Sequence, residues 1–458
     1  MASNSTPVSS GALHEAEKLG LCEWNWKEAF ELAKKTPTDP ICQALLGYCY
    51  TYGRGVEKDE SKGITLCRGA QNNSSLAKAI IALGFSEGNY GLQQDRQRSF
   101  QMLSQCDQTH PFVLNATALW YERDPLDESA KIAFEYYLKG AQAGYVVGMY
   151  NVGLCYRFSK GVGEDYKLAF DYYEKAASFN YPTAIYQVGL CYRYGRGVAE
   201  DLKKAFEYYQ RAADMNESSA LFALGLCHRF GRGTVVNLEK ATYYYTRAAE
   251  AGDRNAQFNL GVCYENGTGV EKNMNKAVVW YQQSADQGYP NAQYNLALCY
   301  DDGRGVGKDL DEAFRYFKLA ADQNDPDSMY ALGLAWENGA GCMKSDEKAF
   351  ELYQRAADEH NHVLSQYALA LCYEEAQFVD KDLEKAFEYY MKAADQDYDA
   401  ALFCVGSCYH FGAGCEQNIE KAMEYYSLAA QKGHQEAQTQ LNKLRENFEQ
   451  PEGEDIDG

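Results

Sequence analysis

Cys404, Cys408, His410 and Cys415 form the densest group of metal-binding residue types in the chain. A structural zinc ion takes four such ligands in a tetrahedron. Cys404 and Cys408, four residues apart, would share one helix face. The spacing matches no familiar zinc motif, however, and Cys408 belongs to a longer series. Cys155, Cys191, Cys227, Cys263 and Cys299 recur every 36 residues, Cys372 and Cys408 continue the series after one extra residue, and Cys49 begins it. Equivalent positions on stacked helices lie about 10 Å apart. A disulfide spans Cα atoms within roughly 7 Å. The column members are therefore expected to be small, buried thiols in a reducing compartment, neither bridged to one another nor ligands. His360 and His362 read as linker residues. Nucleophilic catalysis needs one unique constellation, whereas here the reactive types repeat by column. No catalytic residue, metal site or cofactor is expected, and no small-molecule substrate.

Charge chemistry is patterned in the same way. One column runs Arg157, Arg193, Arg229, then Glu265, Asp301, Glu337, Glu374, then His410. Its neighbour runs Phe158, Tyr194, Phe230, then Asn266, Asp302, Asn338, Glu375, then Phe411. A loop column adds Lys160, Arg196 and Arg232. Arginine beside aromatic rings suits an acidic or aromatic segment of a partner, and stacked carboxylates suit a basic one. The plainer reading is a solvated edge whose charges pair with their neighbours for about 0–1 kcal/mol each. Four like charges at about 10 Å spacing call for something that offsets their repulsion.

These columns imply repeated elements that position them. The chain has 458 residues, is 46% hydrophobic and 24% charged, and contains nine prolines, a foldable composition. An Ala-Phe pair marks the period at Ala29-Phe30, Ala133-Phe134, Ala169-Phe170, Ala205-Phe206, Ala313-Phe314, Ala349-Phe350 and Ala386-Phe387. In each unit, apolar residues at 3.6 spacing predict two helices. Ala184, Val188, Cys191 and Tyr192 line the first; Leu202, Ala205, Phe206, Tyr209, Ala212 and Ala213 line the second. Gly189 allows another helix to come close. Between the helices stands a Gly-x-Gly turn such as Gly195–Gly197, where left-handed backbone angles reverse the chain. A phosphate loop would need a preceding strand and more glycines. Four residues before each Ala-Phe alanine, and before the weaker copies Gly63-Ile64, Ser99-Phe100, Ala241-Thr242, Ala277-Val278 and Ala422-Met423, comes Asn25, Asp59, Asp95, Ser129, Asp165, Asp201, Asn237, Asn273, Asp309, Ser345, Asp382 or Asn418. All twelve are helix N-cap types. One helix pair cannot bury its own apolar face, so stacked copies must share a core.

The unit resembles the Sel1-like repeat, an α/α solenoid related to tetratricopeptide repeats. Residues 256–288, AQFNLGVCYENGTGVEKNMNKAVVWYQQSADQG, match its pattern almost letter for letter. The resemblance implies an all-α, right-handed superhelical solenoid of about eleven two-helix repeats of ~36 residues. The organisation expected is a disordered segment 1–12, a capping half repeat 13–40, degenerate repeats 41–146, regular repeats 147–435, a capping helix 436–449 and an acidic disordered tail 450–458. Two departures stand out. Ser159 replaces a turn glycine. Ala376 and Phe378 replace both glycines of another turn, which should change its shape. In this family the first helix lines the concave face. That places Asn151, Gln187, Asn259 and Asn295 where they could bond a peptide backbone, although these are also consensus letters. The tyrosine pairs, such as Tyr208-Tyr209, are expected to send one ring inward and keep one near the surface.

The function these features imply is a non-enzymatic scaffold or adaptor that binds proteins or peptides along its surface. Two alternatives stand beside it. One is a regulatory or activating subunit of another enzyme. The other is a β-lactam-binding, hydrolase-like repeat protein, whose relatives pair cysteines within each repeat, unlike this chain. A formal net charge of −21 argues against nucleic acid. No apolar run long enough to span a membrane is present, and the N-terminus lacks secretory character, so a cytoplasmic or nuclear location is expected rather than secretion.

Overall fold

The computed structural model describes residues 15–449. The segments 1–12 and 450–458, expected to be disordered, lie outside the described residues. The chain divides into two compact units, Met1–Tyr244 and Tyr245–Gly458. Among the described residues every regular element is helical. In the first unit successive hairpins include Pro40–Tyr52 with Glu60–Ala70, Pro111–Glu122 with Asp127–Gln142, Val146–Phe158 with Tyr166–Ser178, and Pro182–Tyr194 with Leu202–Ala213. The second unit continues with Arg254–Asn266 and Met274–Asp286, Pro290–Asp302 and Leu310–Ala321, Pro326–Asn338 and Asp346–His360, Val363–Glu375 and Leu383–Ala394, and Asp399–Phe411 and Ile419–Gln431. A last helix, Gln435–Glu449, follows and buries Ala437, Leu441 and Leu444.

Eleven of the twelve predicted caps do cap. Asp201 accepts from the amides of Lys203 and Lys204, Asn237 from Lys240, and Asp382 from Lys385. Each satisfies N–H groups that a helix start leaves without a partner. The same residues close the turn from the other side. The Asp201 N–H donates to the Tyr192 carbonyl at 2.9 Å, and the equivalent bond joins Asp165 to Tyr156 and Asp309 to Tyr300. Ser129 is the exception. Its turn is short, the helix already starts at Asp127, and Ser129 lies buried in the first turn while Leu126 holds the cap position without a side-chain bond.

The reversal between helices uses left-handed backbone twice. Gly195 and Gly197 have φ of +63° and +73°. Contrary to expectation, the turn at Ala376 and Phe378 keeps this shape, with φ of +59° and +64°. The cap and the hydrogen bond from the Asp382 N–H to the Tyr373 carbonyl hold the geometry. The two side chains absorb a cost of about 1–2 kcal/mol each. Ser159 likewise adopts φ +55°.

The core is a column of rings and small residues. Tyr137, Tyr173 and Tyr209 in the first unit, and Tyr281, Tyr353, Tyr390 and Tyr426 in the second, are all fully buried. Gly189 permits this packing: a Cβ there would sit 2.6 Å from the Tyr209 ring. Each such ring contributes about 1.5–3 kcal/mol of transfer free energy. The partner tyrosines lie nearer the surface, as expected. Tyr208 stacks on Tyr192 with centroids 5.6 Å apart. On the second helix Leu202 proves 37% exposed, at the edge of the packed face.

Candidate functional site

The last turn of each first helix carries the charged column, and the buried tyrosine of the following helix decides what that residue meets. The spacing is 16 residues, from the end of the first helix to the middle of the second. In the second unit the Tyr281 hydroxyl donates to Glu265, Tyr353 to Glu337 at 2.8 Å, and Tyr390 to Glu374. Glu265 also pairs with Arg304 at 3.0 Å. A carboxylate that accepts a buried hydroxyl satisfies a donor otherwise costly to bury. Three members of the acidic column therefore have an intramolecular partner that offsets their mutual repulsion. Asp301 differs, because Phe317 replaces the tyrosine and offers no hydroxyl. At the end of the column, His410 Nδ1 lies 3.4 Å from the Tyr426 hydroxyl.

The first unit places cations at the same position. Burial raises the phenol pKa of Tyr173 and Tyr209, and the nearby charges of Arg157 and Arg193 oppose the rise. The guanidinium groups lie over the neighbouring rings. Arg157 is 4.8 Å from the Phe158 centroid, Arg193 4.9 Å from Tyr194 and Arg229 5.3 Å from Phe230. Arg196 reaches Tyr194 and Tyr166, and Arg232 reaches Phe230 at 4.9 Å. Phe158, Tyr194 and Phe230 are 53%, 51% and 52% exposed. Three half-open rings, each carrying at least one guanidinium, thus repeat along this edge. Lys160 turns back instead to Glu122 at 2.7 Å. The Glu122 carboxyl, pushed up by burial, is brought below its ordinary value by hydrogen bonds from Lys160 and Tyr137.

The amide column is engaged within the protein. Asn151 donates to Asn115 at 2.8 Å, Gln187 accepts from Arg157 at 2.6 Å, and Asn259 donates to the carbonyl of Asn255. Asn295 hydrogen-bonds the Tyr281 hydroxyl and lowers its pKa against burial. Asn151 and Gln187 thus join neighbouring first helices, Asn259 bonds within its own helix, and Asn295 reaches the preceding second helix.

Another amide ladder was missed from the sequence. Buried Gln257, Gln293 and Gln366 accept from Gln287, Gln323 and Gln396 at 2.7, 2.8 and 2.7 Å. The 30-residue offset within a 36-residue period was the available signal. Apolar Ile185 and Leu221 hold the corresponding place in the first unit.

His228 stands where Tyr192 and Tyr264 stand in their units. It is 4% exposed, stacks on Tyr244 at 5.6 Å and meets Phe206 edge-on at 5.5 Å. Burial lowers its pKa, Lys240 lowers it further, and a backbone bond at Val235 opposes both. Between its folded pKa and the ordinary value near 6.5 the unfolded chain binds more protons, so stability falls as pH drops through that window. His228→Tyr removes this contribution. The difference between the two urea-unfolding curves should vanish in slope above pH 7 and grow below pH 6.5, by at most about 1.4 kcal/mol per pH unit. Parallel pH profiles would refute the assignment.

No helix among the described residues is long and apolar enough to cross a membrane. The Sel1 repeat family model matches at residues 40–68, 77–105, 115–145, 146–178, 182–217, 218–253, 254–289, 290–325, 326–361, 363–398 and 400–434. Among solved structures, the chain is similar to c5321, a protective antigen of uropathogenic Escherichia coli with an SLR fold. Identity is 26%, coverage 91% of this chain and 90% of that one, and the TM-score 0.63. A Sel1 repeat protein from Oxalobacter formigenes is 28% identical over 68% of this chain and 89% of its own, with a TM-score of 0.52. No curated protein matches the chain.

Proposed function

The chain belongs to the Sel1 repeat family, whose members generally act as scaffolds for protein interaction, and from that premise we propose that it is a non-enzymatic adaptor that docks an acidic, aromatic-bearing segment of a partner protein on the Arg157–Arg232 edge. The observation that supports this is the recurrence of half-exposed Phe158, Tyr194 and Phe230, each beneath arginine. Guanidinium held over a ring has already lost much of its rotamer freedom and keeps donors for a carboxylate. In a chain of net charge −21 such an edge is a local exception that would orient an acidic partner. The acidic column carries less of the proposal, because Glu265, Glu337 and Glu374 already accept tyrosine hydroxyls. A cytoplasmic, reducing setting belongs to the same reading. Burial pushes the Cys191 thiol up to about 11, as expected of a packing residue rather than a reactive one.

The test combines Arg157→Glu, Arg193→Glu and Arg229→Glu. Partners of the wild-type chain, identified by proximity labelling in cells, are captured by both proteins at low and high salt. We expect at least a tenfold loss of capture at low salt, and a weaker salt dependence of what remains. Unchanged capture would show that the edge plays no part in docking.

A further inference from the structure

In a stack of repeats each unit touches only its neighbours, so a residue near the N-terminus has no reason to meet one four hairpins on. Trp24 nevertheless packs against Tyr181, with ring centroids 4.5 Å apart and planes at 61°. The path that brings it there is irregular. A short helix, Glu15–Glu17, runs into a π-helical turn, Lys18–Cys22, and Trp24 then reverses the chain at φ +56° before the helix Trp26–Ala33. A bulky residue in the left-handed region is a strained outlier. π-Turns occur often at functional sites. The segment lies on other repeats along the way: buried Glu17 sits 3.5 Å from His110, and Cys22 reaches the Ala143 carbonyl.

The seat itself is made by the repeats. Arg54 lies 4.8 Å from the centroid of the Trp24 ring on one side, Tyr181 lies on another, and Trp26 meets it edge-on at 5.5 Å. Tyr150 backs Tyr181 at 5.4 Å. Glu217, its carboxyl raised by burial, accepts from Thr183 at 3.3 Å. The Arg54 Nε is buried with no hydrogen-bond partner. Cation–π contact and edge-on rings suit an indole, and the Arg54 charge also opposes the rise of the Glu217 carboxyl, so the seat already holds its own carboxylate. Trp24 itself stays half-buried.

We propose that this seat is a recognition site for a partner segment carrying an indole, and that Trp24 occupies it in cis until the partner displaces it. The strained backbone makes the cis occupant replaceable. Tethering makes it an effective competitor at high local concentration. This site lies on a different set of residues from the arginine edge and does not depend on it.

The probe is a fluorescein-labelled peptide with the sequence of residues 15–25, EAEKLGLCEWN, added to the full chain. Removing the cis competitor by Trp24→Gly should lower the apparent Kd for the peptide at least tenfold relative to wild type. A peptide in which the tryptophan is alanine should lose at least tenfold in affinity for the variant. The variant with glutamate at positions 157, 193 and 229 should bind the peptide as wild type does, which separates this site from the arginine edge. Equal binding by wild type and Trp24→Gly, or no binding by either, overturns the proposal. Hydrogen exchange on the wild-type chain gives a readout free of mutation. Amides 18–24 should exchange at least a hundredfold faster than those of Val146–Phe158, and equal protection would overturn the proposal as well.

Discussion

Gly197→Ala should destabilise the first unit by about 3–4 kcal/mol, and Gly195→Ala, two residues earlier in the same turn, by only about 1–2 kcal/mol. Both glycines have positive φ, so both substitutions carry the left-handed penalty. The difference comes from what surrounds them. A Cβ on Gly195 would meet nothing closer than 3.6 Å, whereas one on Gly197 would lie 2.0 Å from the Tyr166 carbonyl oxygen. That oxygen belongs to the first residue of the preceding second helix, so relief requires the two hairpins to separate. The same approach recurs between Gly233 and Leu202, and between Gly341 and Leu310, both at 2.1 Å. Urea unfolding followed by circular dichroism compares the two variants directly. If they were equally destabilised, the contact between hairpins would count for nothing and the backbone penalty for everything.

Tyr353→Ala should cost about 4 kcal/mol, in the range for emptying a large buried site, and Tyr353→Phe about 1 kcal/mol. The ring is 1% exposed and fills the space beside Gly333, so its removal leaves a cavity that Ala349, Phe350 and Ala357 cannot close. The hydroxyl does less. Its partner Glu337 is only half-buried and can turn to water when the phenol is lost. The repeat next to it already contains this variant: Phe317 stands in the tyrosine column opposite Asp301. A thermal or urea series on Tyr353→Phe, Tyr353→Ala and the double variant Tyr353→Phe with Glu337→Gln measures the pair. Should phenylalanine cost as much as alanine, the buried hydroxyl rather than the ring would be the dominant contribution.

The repeat, its two helices, the capping column and the inward tyrosines were all legible in the sequence, because each rests on rules of short range. Cap chemistry works over three residues, helix faces over four, and the period repeats them often enough to be unmistakable. Ser129 shows the limit of such counting, because loop length rather than residue type sets where a helix begins. Ala376 and Phe378 show another: neighbouring hydrogen bonds can impose a left-handed turn on residues that disfavour it. The charged column was found from its spacing. Its meaning depends on a residue 16 positions later, and only packing reveals that Glu337 faces a hydroxyl while Arg157 faces Gln187 and Phe158. Trp24 lies furthest from anything readable in a repeat. Periodicity describes neighbours, and the contact with Tyr181 spans 157 positions outside that grammar. Local chemistry therefore determined the bricks and their order. Tertiary structure alone decided which polar groups are already satisfied within the protein and which remain to meet a partner, because partnership depends on distances in space that no local rule contains.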